Sequence, residues 1–152
     1  MKNSFSLLLF ILVYLSSCVN KSEPEIHLIP KDYTGAVIII YDQEDGKPKK
    51  YEGDFRVYEI PQDGVLKTQF KHPNGFIAPG KLQYYYYNET SRQQLTYIER
   101  PADFKDDGKP HTFSVESSVS TIRYLVGFSK DGDKYYNELR KRINELFPPK
   151  VQ

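Results

Sequence analysis

Six consecutive apolar residues, Ala36-Val37-Ile38-Ile39-Ile40-Tyr41, lie between Gly35 and the polar stretch 42–46. A run this short, rich in β-branched side chains and bounded by turn residues, predicts a strand buried on both faces and hence the centre of the core. Two later segments alternate instead. Ile122, Tyr124, Val126 and Phe128 are set against Thr121 and Arg123, and Phe113 and Val115 against Thr112 and Ser114, which is the period of two of a half-buried strand. By these criteria strands are predicted over 26–29, 36–41, 51–60, 65–70, 82–87, 94–99, 111–116 and 121–128.

Asp45-Gly46, Asp63-Gly64, Asp107-Gly108 and Asp131-Gly132 punctuate the series. Both residues of the dipeptide tolerate positive φ, so it favours tight turns. Closely spaced strands with such turns predict a mainly β domain over 26–152, an antiparallel sandwich or a partly open barrel. The chain ends on a helical period: Tyr136, Leu139, Ile143 and Leu146 share one face, Glu138 can reach Arg142 one turn on, and Pro148-Pro149 stops the pattern. A helix over about 132–147, capped by Asp131 or Asp133, is expected to pack its apolar stripe on the sheet edge or across an open end as a lid on the core.

The front of the chain follows another pattern. Lys2 precedes an almost unbroken apolar run from Phe5 to Leu15, and Leu15-Ser16-Ser17-Cys18 follows. That is the order of a bacterial secretion signal, and the run is shorter than the roughly 20 residues of a membrane-spanning helix. Leu-Ser-Ser-Cys resembles the lipobox of bacterial lipoproteins. The resemblance implies cleavage between Ser17 and Cys18, a diacylglycerol on the Cys18 thiol and an acyl chain such as palmitate on the new amino terminus. Residues 1–17 are then a signal peptide, and 18–25 a lipidated cysteine with a short polar tether. Seven extended residues reach about 25 Å at most, so the tether keeps the domain beside a bacterial membrane. Val19 after the cysteine, in place of a retaining aspartate, favours the outer membrane by the same resemblance. The periplasmic and external faces both stay open.

Charge narrows the partners. Loss of Lys2 with the signal brings the 21 basic residues to 20, equal to the 20 acidic ones. A neutral, mixed surface gives no electrostatic case for nucleic acid. Cys18 is the single cysteine, so once it carries lipid no thiol remains for a disulfide, a metal or a nucleophile.

Two further segments carry a family likeness. Leu28-Ile29-Pro30-Lys31-Asp32-Tyr33-Thr34-Gly35-Ala36-Val37-Ile38-Ile39 resembles the opening motif of a family of uncharacterised bacterial lipoproteins and secreted proteins, known as a domain of unknown function. Arg56-Val57-Tyr58-Glu59-Ile60-Pro61-Gln62-Asp63-Gly64-Val65-Leu66-Lys67-Thr68 is similar to its second recurring segment. The resemblance implies a small β-rich extracytoplasmic domain and carries no activity or site residues with it.

Catalytic signatures are missing. His27, His72 and His111 fall in different predicted segments, without the spacing that sets two metal ligands on one helix face. No serine stands in a Gly-x-Ser-x-Gly elbow. Asp103, Asp106 and Asp107 before Gly108 lack the alternating spacing of a calcium loop and read as a solvated turn. A glycosidase would need two carboxylates about 5 to 9.5 Å apart, and spacing along the chain singles out no such pair among the 20 acids. No catalytic residue, metal site or cofactor is assigned.

Aromatic residues offer the one local candidate. In a strand Tyr84 and Tyr86 face one side with Leu82, while Tyr85 and Tyr87 face the other with Gln83. One pair belongs to the core. The other, with Tyr97 and Arg92 nearby if the next strand forms a hairpin, makes a candidate binding surface for protein or glycan. Phe76 and Ile77 sit just upstream in the turn-rich loop 71–80, and such loops carry binding residues or tuck their apolar side chains beneath themselves. The chain is therefore expected to be a membrane-anchored cell-envelope lipoprotein acting as a binding or assembly module toward an envelope protein or glycan. An envelope hydrolase working on glycan or peptide and a passive structural protein are the alternatives, and the sequence favours the non-enzymatic readings.

Overall fold

A computed structural model describes residues 21–75, 77–99, 105–115, 118 and 120–149. The signal peptide, the Ser17–Cys18 junction, Phe76 and Asp103 lie outside the described residues. Those described form β1 (Glu25–Pro30), β2 (Gly35–Ile40), β3 (Tyr51–Glu52), β4 (Phe55–Glu59), β5 (Val65–Lys67), β6 (Leu82–Asn88), β7 (Ser91–Leu95), β8 (Tyr97–Ile98), β9 (His111–Ser114) and β10 (Thr121–Gly127). A single 3₁₀ turn, Ser129–Asp131, then runs into helix α1, Gly132–Leu146.

The strands make two open five-stranded sheets, ordered β3-β4-β1-β6-β7 and β5-β2-β10-β9-β8. β2 explains why its sequence is apolar throughout. Val37, Ile39 and the adjoining Tyr41 face the other sheet among Ile29, Tyr58, Tyr84, Tyr86 and Tyr124. Ala36, Ile38 and Ile40 face outward and are covered with Leu125 by Tyr135 and Leu139 of α1. The first sheet places β1 at its centre, with Ile29 turned inward and Ile26 and Leu28 outward against Val57. Full burial of one such side chain contributes about 1.5–3 kcal/mol, so these two strands supply much of the stability.

Pairing within the sheets is mixed where antiparallel pairing was expected. β1 runs parallel to both β4 and β6, β2 to β5, and β8 to β9. The cause lies in the turns. Asp63-Gly64 joins β4 in one sheet to β5 in the other, and Asp45-Gly46 lies on the path from β2 to β3, again between sheets. Tight turns used in this way divide successive strands between the sheets, and strands that return later to the same sheet run parallel. The hairpins within a sheet are β3–β4, around Gly53-Asp54, β6–β7, around Glu89-Thr90, and β9–β10. The segment expected as one strand over 51–60 is thus a hairpin. The one expected over 94–99 is the end of β7 followed by β8, which crosses to the second sheet after Thr96.

The helix lies across the outer face of β2 and β10, not at an edge or an open end. Tyr135 stacks over Gly127, Glu138 lies beside Gly35, and Arg142 bonds both Glu138 and the carbonyl of Asp63. Crossing the strands in this direction buries Tyr135 and Leu139. Tyr136, expected on the apolar face, is 49% exposed, and Leu146 projects beyond the sheet at 37%. Neither Asp131 nor Asp133 makes a side-chain cap.

Candidate functional site

Two regions gather polar and aromatic side chains, one at each end of β1. The first is sealed. β1 starts with Glu25-Ile26-His27, and alternation turns Glu25 and His27 inward on one face. Both are 0% exposed. His27 Nε2 lies 3.1 Å from Glu25 Oε2 and Nδ1 lies 3.2 Å from the Tyr124 hydroxyl. A carboxylate only accepts, so Nε2–H donates to Glu25, and Nδ1 and the Tyr124 hydroxyl share a second hydrogen bond. Tyr58 donates to the second carboxylate oxygen at 3.3 Å. The rings of Tyr58, Tyr84 and Tyr124 surround the imidazole at 4.9, 4.7 and 5.4 Å. Burial holds the Tyr84 and Tyr124 hydroxyls well above their ordinary pKa, with the Glu25 carboxylate adding to the effect. Neither is a nucleophile. A pocket of about 140 Å³ adjoins the cluster, and Glu25, His27 and Tyr124 themselves line it together with Leu82, Tyr84, Tyr97 and Ile122. Glu25 and His27 nonetheless have no exposed surface, and each already holds hydrogen-bond partners inside the protein.

The second region is open. At the far end of β1 the parallel strands β4, β1 and β6 finish side by side, and a groove of about 450 Å³ opens across their ends. Leu28, Ile60, Pro30 and Pro61 contribute its apolar surface, and Lys31, Lys47, Gln62, Tyr87 and Glu89 bring polar groups to it. Tyr87 is 37% exposed. Lys31 and Lys47 make no ion pair among the described residues, whereas Glu59 is held by Lys50.

The groove continues onto the outer face of the first sheet. Tyr87 stands opposite Arg92 and Tyr85 opposite Gln94 across the β6–β7 hairpin, so paired side chains share that face. Arg92 grips Glu52 of β3 through two contacts of 2.8 Å. β3 and β7 are opposite edges of this sheet, about 19 Å apart were it flat. The pair therefore shows that the sheet curls over its outer face. Arg92 holds the Glu52 carboxyl below its usual range.

Of the sequence-derived candidates, Tyr85, Tyr87 and Arg92 come together here. Tyr97 does not. It belongs to β8 of the second sheet and stacks on Tyr84 at 5.4 Å and 15°, beside the sealed pocket. Phe76 lies outside the described residues. His27 and Glu25 went unnoticed in the sequence, although their i, i+2 spacing at the head of a strand was the available signal. Among the described residues no group of His, Cys, Asp and Glu is placed to hold a metal.

The Tyr33 hydroxyl donates to Ala36 O at 2.6 Å and closes the turn between β1 and β2, and Tyr86 donates to Tyr33 O at 2.8 Å. Gly64, at φ +76°, packs beneath Tyr33 so closely that a Cβ would lie 2.0 Å from its hydroxyl. These residues shape the fold at the groove end.

Fold and site together define a two-sheet β domain with a helix laid across one face, a sealed polar cluster at one end and an open groove at the other. Residues 21–124 match the model of a family of unknown function, DUF6843, and the chain belongs to that family. A solved structure named "Putative Lipoprotein from Bacillus anthracis" is similar at 18% identity and a TM-score of 0.46, over 82% of this chain and 96% of that one. No curated protein matches the chain.

Proposed function

We propose that this chain is a lipid-anchored, extracytoplasmic binding module of the bacterial cell envelope, cut after Ser17, held by Cys18 in the outer membrane, and taking an envelope protein or glycan in the groove at the far end of β1. The observation that carries the reading is the opposition of the two ends. The tether enters where β1 begins, and the groove lies where β1 finishes. A ligand can therefore reach the groove without passing the anchor. Its volume falls in the range of ligand sites, about 300–1,000 Å³, and it combines an aromatic face with amide, ammonium and carboxylate groups of both signs. Anchoring raises the effective concentration of such a site toward other envelope components. Binding suits the geometry better than hydrolysis. Of the two carboxylates that line the groove, Glu59 is tied to Lys50 and only Glu89 is left, so the groove lacks the pair of free carboxylates that glycoside hydrolysis uses.

Capture from intact cells tests the reading. A Tyr87→Ala, Lys47→Glu double variant is expected to remain at the membrane at wild-type abundance and lose its partner. Capture at the wild-type level would refute the groove as the binding site. Cys18→Ala is expected to release the protein from the membrane fraction, and retention there would remove the anchor.

A further inference from the structure

We infer that the segments 71–75 and 77–81 rest on the lipid surface to which Cys18 is anchored, so that the domain stands on the membrane in one orientation with its groove outward. The inference relies on the lipid-anchor reading of Cys18. Its starting point is that the tether is much shorter than its sequence implies. Arg56 of β4 holds Glu23 through Nε at 2.6 Å and through Nη2, and its backbone N–H donates to Pro24 O at 2.9 Å. The Ser22 hydroxyl oxygen is already buried. The four residues from Cys18 to Ser22 span about 14 Å at most. That is too short for the domain to turn over.

The two segments are fastened on both sides of the place where the tether joins the fold. The same Arg56 donates from Nη1 to Lys71 O at 2.8 Å, and the Glu25 N–H donates to Lys81 O at 2.8 Å. Their residues suit a bilayer interface. Ile77 and Ala78 are half-buried, and Pro79 and Gly80 are exposed beside them. Pro73 and Pro79 bring no N–H that would lose its hydrogen bond to water. Lys71, Lys81 and Lys21 are exposed around the junction. Lysine stems lie along apolar surface while their ammonium groups reach headgroups, and an anionic leaflet attracts them. Lys81 already lies over the Phe55 ring at 5.5 Å. Asp54, at the tip of the neighbouring β3–β4 hairpin, and Asp42, after β2, are exposed at the same end, which limits the contact to the headgroup layer. The length of the tether selects the occupant: a surface within about 14 Å of the junction is the membrane itself.

The test uses the mature lipidated protein in vesicles of phosphatidylethanolamine and phosphatidylglycerol. Acylated Cys18 is the only native cysteine, so Pro79→Cys and Thr90→Cys, the latter in the β6–β7 turn, can each carry a single environment-sensitive fluorophore. A lipid-borne quencher is expected to quench position 79 several-fold more than position 90, and Lys71→Glu with Lys81→Glu to reduce the difference. Equal quenching at the two positions overturns the docking. Mass spectrometry of the amino terminus separates the two readings. A lipidated chain with equal quenching refutes docking alone, and a chain without lipid refutes both.

Discussion

At the end where β1 begins, a carboxylate, an imidazole and several tyrosines are packed out of water; at the end where β1 finishes, a tyrosine, lysines and carboxylates stand around an open groove. The residue types are nearly the same, and their consequences are opposite. Glu25 and His27 have each found a partner inside the protein, so their chemistry is spent on the fold. The side chains of Tyr87, Lys31 and Lys47 lie where water can be replaced by a ligand, and they hold no hydrogen bond among the described residues. Accessibility, not the type of side chain, is therefore what separates the proposed binding end from the other.

Breaking the sealed end is expected to give the largest effect. His27→Ala leaves Glu25 buried beside Tyr58 without its imidazole, and removal of one member of such a pair costs about 3–5 kcal/mol. Urea denaturation would show the loss as a lowered midpoint with an unchanged slope. A loss within ~0.5 kcal/mol, the size of an ordinary surface change, would mean that water replaces the imidazole and that the cluster is not sealed. A smaller effect is expected at the turn that borders the groove. In Gly64→Ala a Cβ meets the Tyr33 hydroxyl at 2.0 Å and Ala36 O at 2.5 Å, on a backbone at φ +76°. Relief requires both Tyr33 and the Ala36 backbone to shift, which should cost about 1–3 kcal/mol, read by the same denaturation, and it should disturb ligand capture as well because Tyr33 ties β1 to β2 there.

Alkali sharpens the contrast further. Burial pushes the Tyr33 and Tyr86 hydroxyls up to about 12 from an ordinary 10, and Tyr84 and Tyr124 well above it. The unfolded chain releases these protons near pH 10 while the folded protein retains them. Stability from this source is therefore complete below pH 10 and declines as pH rises from there toward the folded values. The urea midpoint should fall between pH about 8 and about 11, and phenolate absorbance from the buried rings should appear together with unfolding. Ionisation of all tyrosines before the fold is lost would contradict their burial.

Much of the architecture was legible because it is local. The unbroken apolar run of β2 announces two covered faces, and the alternation in 82–87 separates the tyrosines into two pairs, of which Tyr84 and Tyr86 are in the core. What was not legible depends on distant partners. Whether Asp63-Gly64 closes a hairpin or passes between sheets is decided by where β5 finds β2, some 25 residues earlier in the chain. The buried line on α1 shifted from Tyr136 to Tyr135 because the helix crosses the strands over Gly127. Glu25 was read as the end of the tether and His27 only as one residue of the first strand, since a charged residue at the edge of a polar segment gives no sign of its own burial. The groove is assembled from Lys31, Lys47, Gln62 and Glu89, each unremarkable alone, which meet only because three parallel strands end together.

The most direct measurement places a photo-crosslinking amino acid at position 87 or at position 97 of the otherwise native protein in intact cells. Both tyrosines are 37% exposed, so accessibility is matched, but one lines the groove and the other stacks beside the sealed cluster. A specific adduct from position 87 that position 97 does not give is the predicted result. An adduct from position 97 alone, or none specific to position 87, would contradict the assignment of the open end as the end that binds.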